Sequence, residues 1–371
     1  MEIHKNTQIS FIQILRGLAV LLVVWSHLSG YWLSANAESS AIQDYWMIYV
    51  TRPLHIWQNG GNLGVLIFFL VSGYIITYTA LKESKFTFFV KRFMRLAPML
   101  WVSTLLMAIY ATSTQWMGTQ ALSHSEGNIF HWVTSLFLLD GFFSVGRVLE
   151  VTWTLTIEVM FYLLTFFSLN MMKKNPEKST WWMTVSWIVF SLLSLTVPLL
   201  KTNGNTYLIF YVSFLLIGRN IFLWQTNKIR PIVGALNTAI PLFLYCIFVE
   251  TAWPGSLLAP LGHPSGVEPV VTYAYAIGIF LCLLAISPKK AWKPLKFLGE
   301  ISYSLYLLHI PVGMLVADLL YQLGWPSTFV TIGAITASVS ISWITYRLIE
   351  VPSQTIARNY LAHRTEKIQT N

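Results

Sequence analysis

Long apolar stretches recur along the chain, and each is close to the roughly 20 residues that a helix needs to cross a bilayer. We predict ten spans, at about 10–32, 63–82, 96–114, 152–172, 180–200, 205–224, 232–251, 268–287, 299–321 and 327–348. The pattern therefore predicts an all-α fold, a polytopic integral membrane helical bundle of about ten transmembrane helices. We expect residues 1–352 to form one transmembrane domain and 353–371 a short cytoplasmic tail.

The composition agrees with this interpretation. The chain is 55% hydrophobic and only 11% charged, with a mean hydropathy of +0.59, whereas soluble domains carry about 25% charged residues. Twenty of its 24 lysines and arginines fall in segments on one side of the predicted spans. By the positive-inside rule, that side and both termini are cytoplasmic. The net charge of +9 is thus an orientation signal, and we expect no nucleic-acid partner.

One further apolar segment, at about 129–143, is long enough to be considered an eleventh span. If it crossed the membrane, every later basic segment would face outward. We therefore predict an interfacial or re-entrant piece on the outer side, buried against protein.

Ionisable residues inside apolar spans are costly and call for partners. We single out seven that lie within spans or at their ends: Arg16, His27, Glu158, His309, Asp318, Arg347 and Glu350. Arg16 and His27 are eleven residues apart, so on a helix they share a face within roughly 20° and lie about 16 Å apart along the axis. That helix face would carry a cation toward one side of the bilayer and a proton acceptor toward the other.

His27 and Glu158 are predicted to lie at the same depth. Each is about five residues from aromatic side chains at the outer end of its span, which places both about 7 Å below the outer interface. A carboxylate beside an imidazole fixes its tautomer and raises its basicity, as general-base catalysis requires. A structural ion pair between two helices is the alternative.

The ninth span carries a second candidate group around His309, close to the middle of the membrane. Ser302 and Tyr303 precede this histidine, and Pro311 follows it. A proline inside a span frees a backbone carbonyl and kinks the helix, often beside a cavity. A histidine that simply hydrogen-bonds between helices is an equal alternative.

On the cytoplasmic side, Arg92 and Arg95 are three residues apart and share one face of the helix that leads into the third span. Two guanidinium groups on one face can each bind phosphate oxygens through two hydrogen bonds. Orientation of the span and contact with membrane lipid head groups is the alternative function.

Small residues cluster around the second span, at Gly60, Gly61, Gly64 and the pair Ser72-Gly73, which predicts close helix packing. The histidines of the outer segments lack the spacing of metal ligands, so we expect no metal site. These are His55, His124, His131 and His263.

Taken together, these segments resemble the acyltransferase-3 family of bacterial membrane O-acyltransferases, across essentially the whole chain. Arg16 and His27 match its basic residue, ten residues, then histidine. Its other motifs resemble Gly64 to Tyr74 (with Ser72), Arg92 and Arg95 before Pro98, Trp153 to Tyr162 (with Glu158), Leu298 to His309, and Glu350-Val351-Pro352.

The resemblance implies an acyl donor in the cytoplasm, acetyl-CoA by preference, and an acceptor hydroxyl on an extracytoplasmic or lipid-linked glycan. It implies the bacterial cytoplasmic (inner) membrane as location, with lipid contact and a possible homo-oligomer. Some relatives carry an extra soluble domain, so we expect this chain to act alone or with a separate protein.

The same resemblance assigns roles to the residues. Arg92, Arg95 and Arg16 would hold the phosphates of acyl-CoA, and His27, oriented by Glu158, would deprotonate the acceptor hydroxyl. Arg16 also counts, with His27 and Glu158, among the candidate catalytic residues. An acyl-histidine at His27 is the competing route. Substrate-positioning or oxyanion-stabilising residues would come from Ser302, Tyr303, His309, Ser72 and Trp153.

The rival function is a proton-coupled transporter, because buried histidine, glutamate and arginine also build such carriers. No two-fold repeat is visible between the halves of the chain, and paired cytoplasmic arginines have no obvious function in a carrier. We therefore favour the enzyme.

Overall fold

The computed structural model describes residues 2–117, 129–140, 147–196, 210–252 and 268–370. Within these ranges the chain forms helices joined by turns and contains no β-strand, which confirms the all-α class. Seven helical segments of the described chain are long and apolar enough to cross a membrane, as a multi-pass membrane protein requires. They are Ser10–Ala35, Trp57–Ala80, Lys85–Ala111, Thr152–Lys174, Glu268–Ile286, Lys293–Gln322 and Ser327–Arg364.

The remaining three predicted spans, 180–200, 205–224 and 232–251, coincide in part with described helices. Residues 197–200 and 205–209 lie outside the described residues. The count of about ten spans, the cytoplasmic position of the termini and the boundary at 352 stay predictions. His124 and His263 also lie outside the described residues.

The elements are named here in chain order. The α-helices are α1 (Glu2–Trp25), α2 (Trp32–Ala35), α3 (Ala41–Trp46), α4 (Gly61–Ala80), α5 (Lys85–Met117), α6 (Ile129–Leu136), α7 (Thr152–Lys174), α8 (Pro176–Thr196), α9 (Val212–Gln225), α10 (Pro231–Ala252), α11 (Glu268–Ile286), α12 (Lys293–Leu308), α13 (Leu315–Gln322), α14 (Ser327–Thr345) and α15 (Val351–Thr370). Four π-helical turns occur in the described ranges: π1 (Ser26–Tyr31), π2 (Met47–Thr51), π3 (His309–Met314) and π4 (Tyr346–Glu350).

The helices divide between two compact units. Unit 1 comprises residues 1–81 and 153–302, and unit 2 comprises 82–152 and 303–371. Unit 1 therefore contains the first two predicted spans and nearly all residues of helices α7 to α11. Unit 2 contains α5 and the last helices of the chain.

Reciprocal glycine contacts join α4 to α9 in unit 1. A Cβ atom on Gly73 would collide with the carbonyl oxygen of Leu215, and one on Gly218 would collide with that of Leu70. The two backbones approach this closely only because both positions lack a side chain. The small residues that the sequence analysis singled out at Ser72-Gly73 do mark close helix packing.

The same arrangement joins α1 to the start of α12. A Cβ on Gly17 would collide with the Leu295 carbonyl, and a Cβ on Gly299 with the Gln13 carbonyl. Gly64 of α4 likewise lies against the backbone of α1. Helix α1, which carries Arg16 and leads into π1, is thus fixed between two neighbours by backbone contact.

Hydrogen bonds of Arg219 also join two helices of unit 1. This arginine is one of the 20 basic residues that the predicted spans assign to the cytoplasmic side, but the structure buries it in α9 with 1% exposure. Its guanidinium donates to the hydroxyls of Thr180 at 2.7 Å and Ser179 at 3.0 Å, and to the Asn220 side chain at 3.3 Å. These neutral partners connect α9 to the first turn of α8.

Several polar groups of unit 2 are hydrogen-bonded in a similar way. Helix α5 begins after Ser84, whose hydroxyl accepts the Thr87 N–H at 3.1 Å and so caps the helix. Deeper in the unit, Tyr110 donates to Asp318 at 3.0 Å, and Ser304 donates to Glu350 at 2.8 Å. The sequence analysis called for partners of both carboxylates.

The described part of the apolar segment at 129–143, residues 129–140, contains helix α6. Eight helical residues extend about 12 Å, which is far short of the roughly 30 Å hydrocarbon core. Residues 141–146 lie outside the described residues. The interfacial or re-entrant position of this segment stays a prediction.

Candidate functional site

His27 lies in unit 1 on π1, directly after the regular part of α1. Its Nδ1 is 2.9 Å from the carbonyl oxygen of Val23. A carbonyl only accepts, so in the neutral ring Nδ1 carries the proton and Nε2 keeps its lone pair. The backbone carbonyl of Val23 thus fixes the tautomer that a general base needs. The sequence analysis predicted this function for Glu158.

Glu158 lies on α7 and is held from two sides within unit 1. Its Oε1 accepts a hydrogen bond from the Tyr162 hydroxyl at 2.6 Å and another from Ser72 of α4 at 3.2 Å. Tyr162 lies four residues further along the same helix, so it is the natural neighbour of Glu158. In the described part of the chain both hydrogen bonds of Glu158 go to these hydroxyls, and its action on His27 stays a prediction.

Arg16 and Ser302 come together although 286 residues separate them. The Arg16 Nε donates to the Ser302 hydroxyl at 3.0 Å, and that hydroxyl donates to the Gly299 carbonyl at 3.0 Å. Ser302 is fully buried. Because its hydroxyl donates to the backbone and accepts from Arg16, this serine positions the guanidinium of Arg16.

Trp153 also belongs to unit 1, five residues before Glu158 on α7. Its ring centroid lies 5.2 Å from that of Tyr211 and 6.2 Å from that of Phe69. The Tyr211 hydroxyl in turn accepts from the Asn62 amide at 3.2 Å. Trp153 is therefore part of an aromatic cluster that packs α7 against α4 and α9.

In unit 2, Arg92 and Arg95 share a face of α5, as predicted from their spacing. The Arg92 guanidinium lies 5.0 Å from the ring centroid of Phe88 and 3.7 Å from a carboxylate oxygen of Glu83. Glu83 also pairs with Lys91 at 2.9 Å. Arg95 is half-buried. Two basic side chains of α5, Lys91 and Arg92, thus lie around a single carboxylate.

Tyr303 and His309, also in unit 2, donate to backbone carbonyls. The Tyr303 hydroxyl donates to the Leu96 carbonyl at 2.8 Å, and the Nδ1 of His309 lies 3.2 Å from the Leu305 carbonyl. His309 is fully buried at the first position of π3. These bonds favour positioning functions for both residues, and donation to an oxyanion stays a prediction.

Sequence reasoning missed several features of the site. The carboxylate of Glu83 follows Lys82 in what resembles a solvated turn, and Tyr162 resembles an apolar helix residue. The π-turns were also missed, although three of the four in the described ranges carry a residue singled out by charge, namely His27, His309 and Glu350. Turns of this kind are frequent at functional sites.

Comparison with known proteins places these residues in a family. A family model described as an acyltransferase domain matches residues 9–347. Peptidoglycan O-acetyltransferase OatA of Listeria monocytogenes is 27% identical over 338 residues, which cover 80% of this chain and 52% of that protein. Nodulation protein 10 of Rhizobium leguminosarum is 24% identical over 323 residues, covering 81% of this chain and 84% of its own length.

The chain thus spans about half the length of the Listeria relative. It has no significant match among the solved structures. The family model extends from the first predicted span to the last, and it includes Arg16, His27, Arg92, Glu158 and His309. The chain belongs to the acyltransferase-3 family.

Proposed function

We propose that this chain is a membrane O-acyltransferase. It moves an acyl group, acetyl by preference, from cytoplasmic acyl-CoA to a hydroxyl of an extracytoplasmic or lipid-linked glycan, in the bacterial inner membrane and with both termini cytoplasmic. The names of its relatives support the reaction class. The observation that carries the proposal is the hydrogen bond from Nδ1 of His27 to Val23, because it leaves Nε2 as a base inside a membrane-spanning helix.

In the proposed reaction the Nε2 of His27 takes the proton of the acceptor hydroxyl as the oxygen attacks the thioester carbon. The C–S bond then breaks and the ester forms. The CoA thiolate takes the proton from the imidazolium, which restores the neutral imidazole. General-base assistance of this kind contributes about 10²- to 10⁴-fold. The negative charge of Glu158 stabilises the imidazolium in this scheme.

The proposed donor site uses the basic residues on the cytoplasmic side. Arg92 and Arg95 bind phosphate oxygens of the CoA, a function for which planar guanidinium groups suit better than ammonium groups. Glu83 and the Phe88 ring hold Arg92 in place before the donor binds. Arg16, held by Ser302, is a further candidate for binding the donor.

The direct test is transfer of label. Purified protein in detergent or liposomes is incubated with radiolabelled acetyl-CoA and candidate lipid-linked glycans or peptidoglycan fragments. We expect label in a glycan ester that mild base removes. Proton uptake driven by a glycan gradient, without any ester, would instead support the transporter.

Arg92→Ala is expected to raise the KM for acetyl-CoA about tenfold and to change kcat little, because a charge-assisted bond to phosphate contributes mainly to binding. Steady-state kinetics with varied acetyl-CoA measures this effect. Arg358→Ala, an exposed basic residue on α15, is the control and should leave the KM unchanged. A rise only in the KM for the acceptor would contradict the phosphate assignment.

Glu158→Gln is expected to lower kcat by about tenfold or more, because the side chain keeps its shape but no longer stabilises a positive charge on His27. Thermal stability in detergent should stay close to that of the wild type. Tyr162→Phe removes one hydrogen bond to Glu158 and should have a smaller effect in the same direction. A normal kcat in Glu158→Gln would show that its charge is not used.

A further inference from the structure

The turn before α4 has an unusual backbone. In the 3₁₀ turn Trp57–Gly60, three consecutive residues are left-handed, with φ values of 50° at Gln58, 57° at Asn59 and 97° at Gly60. Glycine adopts this conformation readily, but side-chain-bearing residues do so at a free-energy cost. Such strain concentrates at functional sites and persists only where neighbours hold it.

Two hydrogen bonds hold this turn in place. The Ser26 hydroxyl donates to the Gln58 carbonyl at 2.8 Å, and the Trp46 indole donates to the Asn59 carbonyl at 3.2 Å. Ser26 belongs to π1, so the strained turn is fastened to the same π-turn that carries His27. Both elements belong to unit 1.

The side chain of Asn59 is directed toward π1. Its Nδ2 lies 2.6 Å from the position that a Cβ atom on Gly30 would occupy, three residues after His27. Both polar atoms of this amide are buried and have no hydrogen-bond partner in the described chain. A buried amide without partners is costly, so the strain of this turn supports a side chain that makes no bond within the protein.

Two further buried polar atoms of the same region also lack a partner among the described residues: Nε1 of Trp25 and Oδ1 of Asn62. Trp25 directly precedes π1 and packs against Trp46 with ring centroids 5.9 Å apart. Asn62 lies in the first turn of α4 and uses only its Nδ2, toward Tyr211. Together with Asn59, the set offers two donors and two acceptors, and none of its members is charged.

We propose that Asn59, with Trp25 and Asn62, binds the acceptor sugar through two adjacent hydroxyl groups and positions one of them for His27. Hydroxyls both donate and accept, so they match a set that contains both kinds of group. The absence of charge from these three side chains fits a neutral part of the sugar ring. This inference rests on the proposed function, and it assigns Asn59 as an acceptor-positioning residue.

The test separates the side chain of Asn59 from its backbone. Asn59→Gly keeps the left-handed turn, since glycine favours it, and removes only the amide. Gln58→Gly is the matched control, because the adjacent residue has the same backbone conformation and an exposed side chain. The probe is a mixture of soluble peptidoglycan fragments released by a muramidase, and binding is measured by calorimetry without acetyl-CoA.

We expect Asn59→Gly to weaken fragment binding by about tenfold, the loss of a buried hydrogen-bonding group, whereas Gln58→Gly binds like the wild type. The two variants should have equal thermal midpoints. Wild-type affinity in Asn59→Gly, equal weakening in both variants, or no saturable binding by the wild type would overturn the inference. A wild type that binds the fragments but never acetylates them would instead contradict the proposed function.

Discussion

Replacing His27 by asparagine is expected to abolish acyl transfer while the protein folds and inserts normally. The asparagine amide can still donate to the Val23 carbonyl, as Nδ1 of His27 does, but it has no basic nitrogen to take a proton. Loss of a general base costs about 10²- to 10⁴-fold in rate, and loss of an acyl-carrying nucleophile would cost more. His27→Ala should give the same result.

The measurement is initial-rate transfer from labelled acetyl-CoA, with the thermal midpoint recorded for each variant. His363→Ala changes an exposed histidine of α15 and is expected to transfer at the wild-type rate. Transfer by His27→Asn at more than a tenth of the wild-type rate would remove His27 from the mechanism, whatever the function of the chain.

Gly73→Ala is expected to have the largest effect on stability. The new methyl group would collide with the Leu215 carbonyl, which belongs to helix backbone and cannot rotate away. Overpacked positions typically lose about 1–3 kcal/mol, and a contact with rigid backbone should reach the upper end of that range. We expect a lower yield of monodisperse protein and a clearly lower thermal midpoint in detergent.

Gly278→Ala is the matched control for this prediction. Gly278 lies in the interior of α11, and a Cβ there would meet no atom within 4 Å. Because alanine favours a helix over glycine by about 1 kcal/mol, this variant should be as stable as the wild type or slightly more so. If Gly73→Ala and Gly278→Ala had equal midpoints, the close approach of α4 and α9 would be wrong.

The sequence predicted the helical class, because that class depends on local patterns. Apolar length predicts spans, and glycines at Gly64 and Gly73 predict close packing, since only a missing side chain lets backbones meet. Charge inside an apolar stretch singled out Arg16, His27 and Glu158, because burial of such groups needs a reason. None of these inferences required knowledge of which helices are neighbours.

Hydrogen bonds between residues that are distant in sequence could not be predicted in this way. Arg16 bonds to Ser302 and Glu158 bonds to Ser72 because helices distant in sequence pack side by side, and the pattern of one helix carries no record of its neighbour. The resemblance placed Ser302 and Ser72 in motifs without giving their contacts. Their hydroxyls turn out to hold a guanidinium and a carboxylate.

Backbone conformation was also beyond the sequence. Asn tolerates the left-handed region better than most residues, but nothing in Trp57-Gln58-Asn59-Gly60 predicts three such residues in succession. The π-turns have no period of their own that a hydrophobic pattern could reveal, because each adds a single residue to an otherwise regular helix.

That single added residue divides one helix into two parts, and the side-chain orientations of the two parts are set separately. From Arg16 to Trp25 the helix is regular, so the interval between guanidinium and imidazole depends on α1 and on the first two residues of π1. After π1 every side chain is rotated by about 100° from the position that it would have in an uninterrupted α-helix. The orientation of Trp32 and Leu33 is therefore independent of the orientation of the residues in α1. Gaining or losing one residue after His27 can therefore reorient the end of this span, while the distance between Arg16 and His27 stays constant.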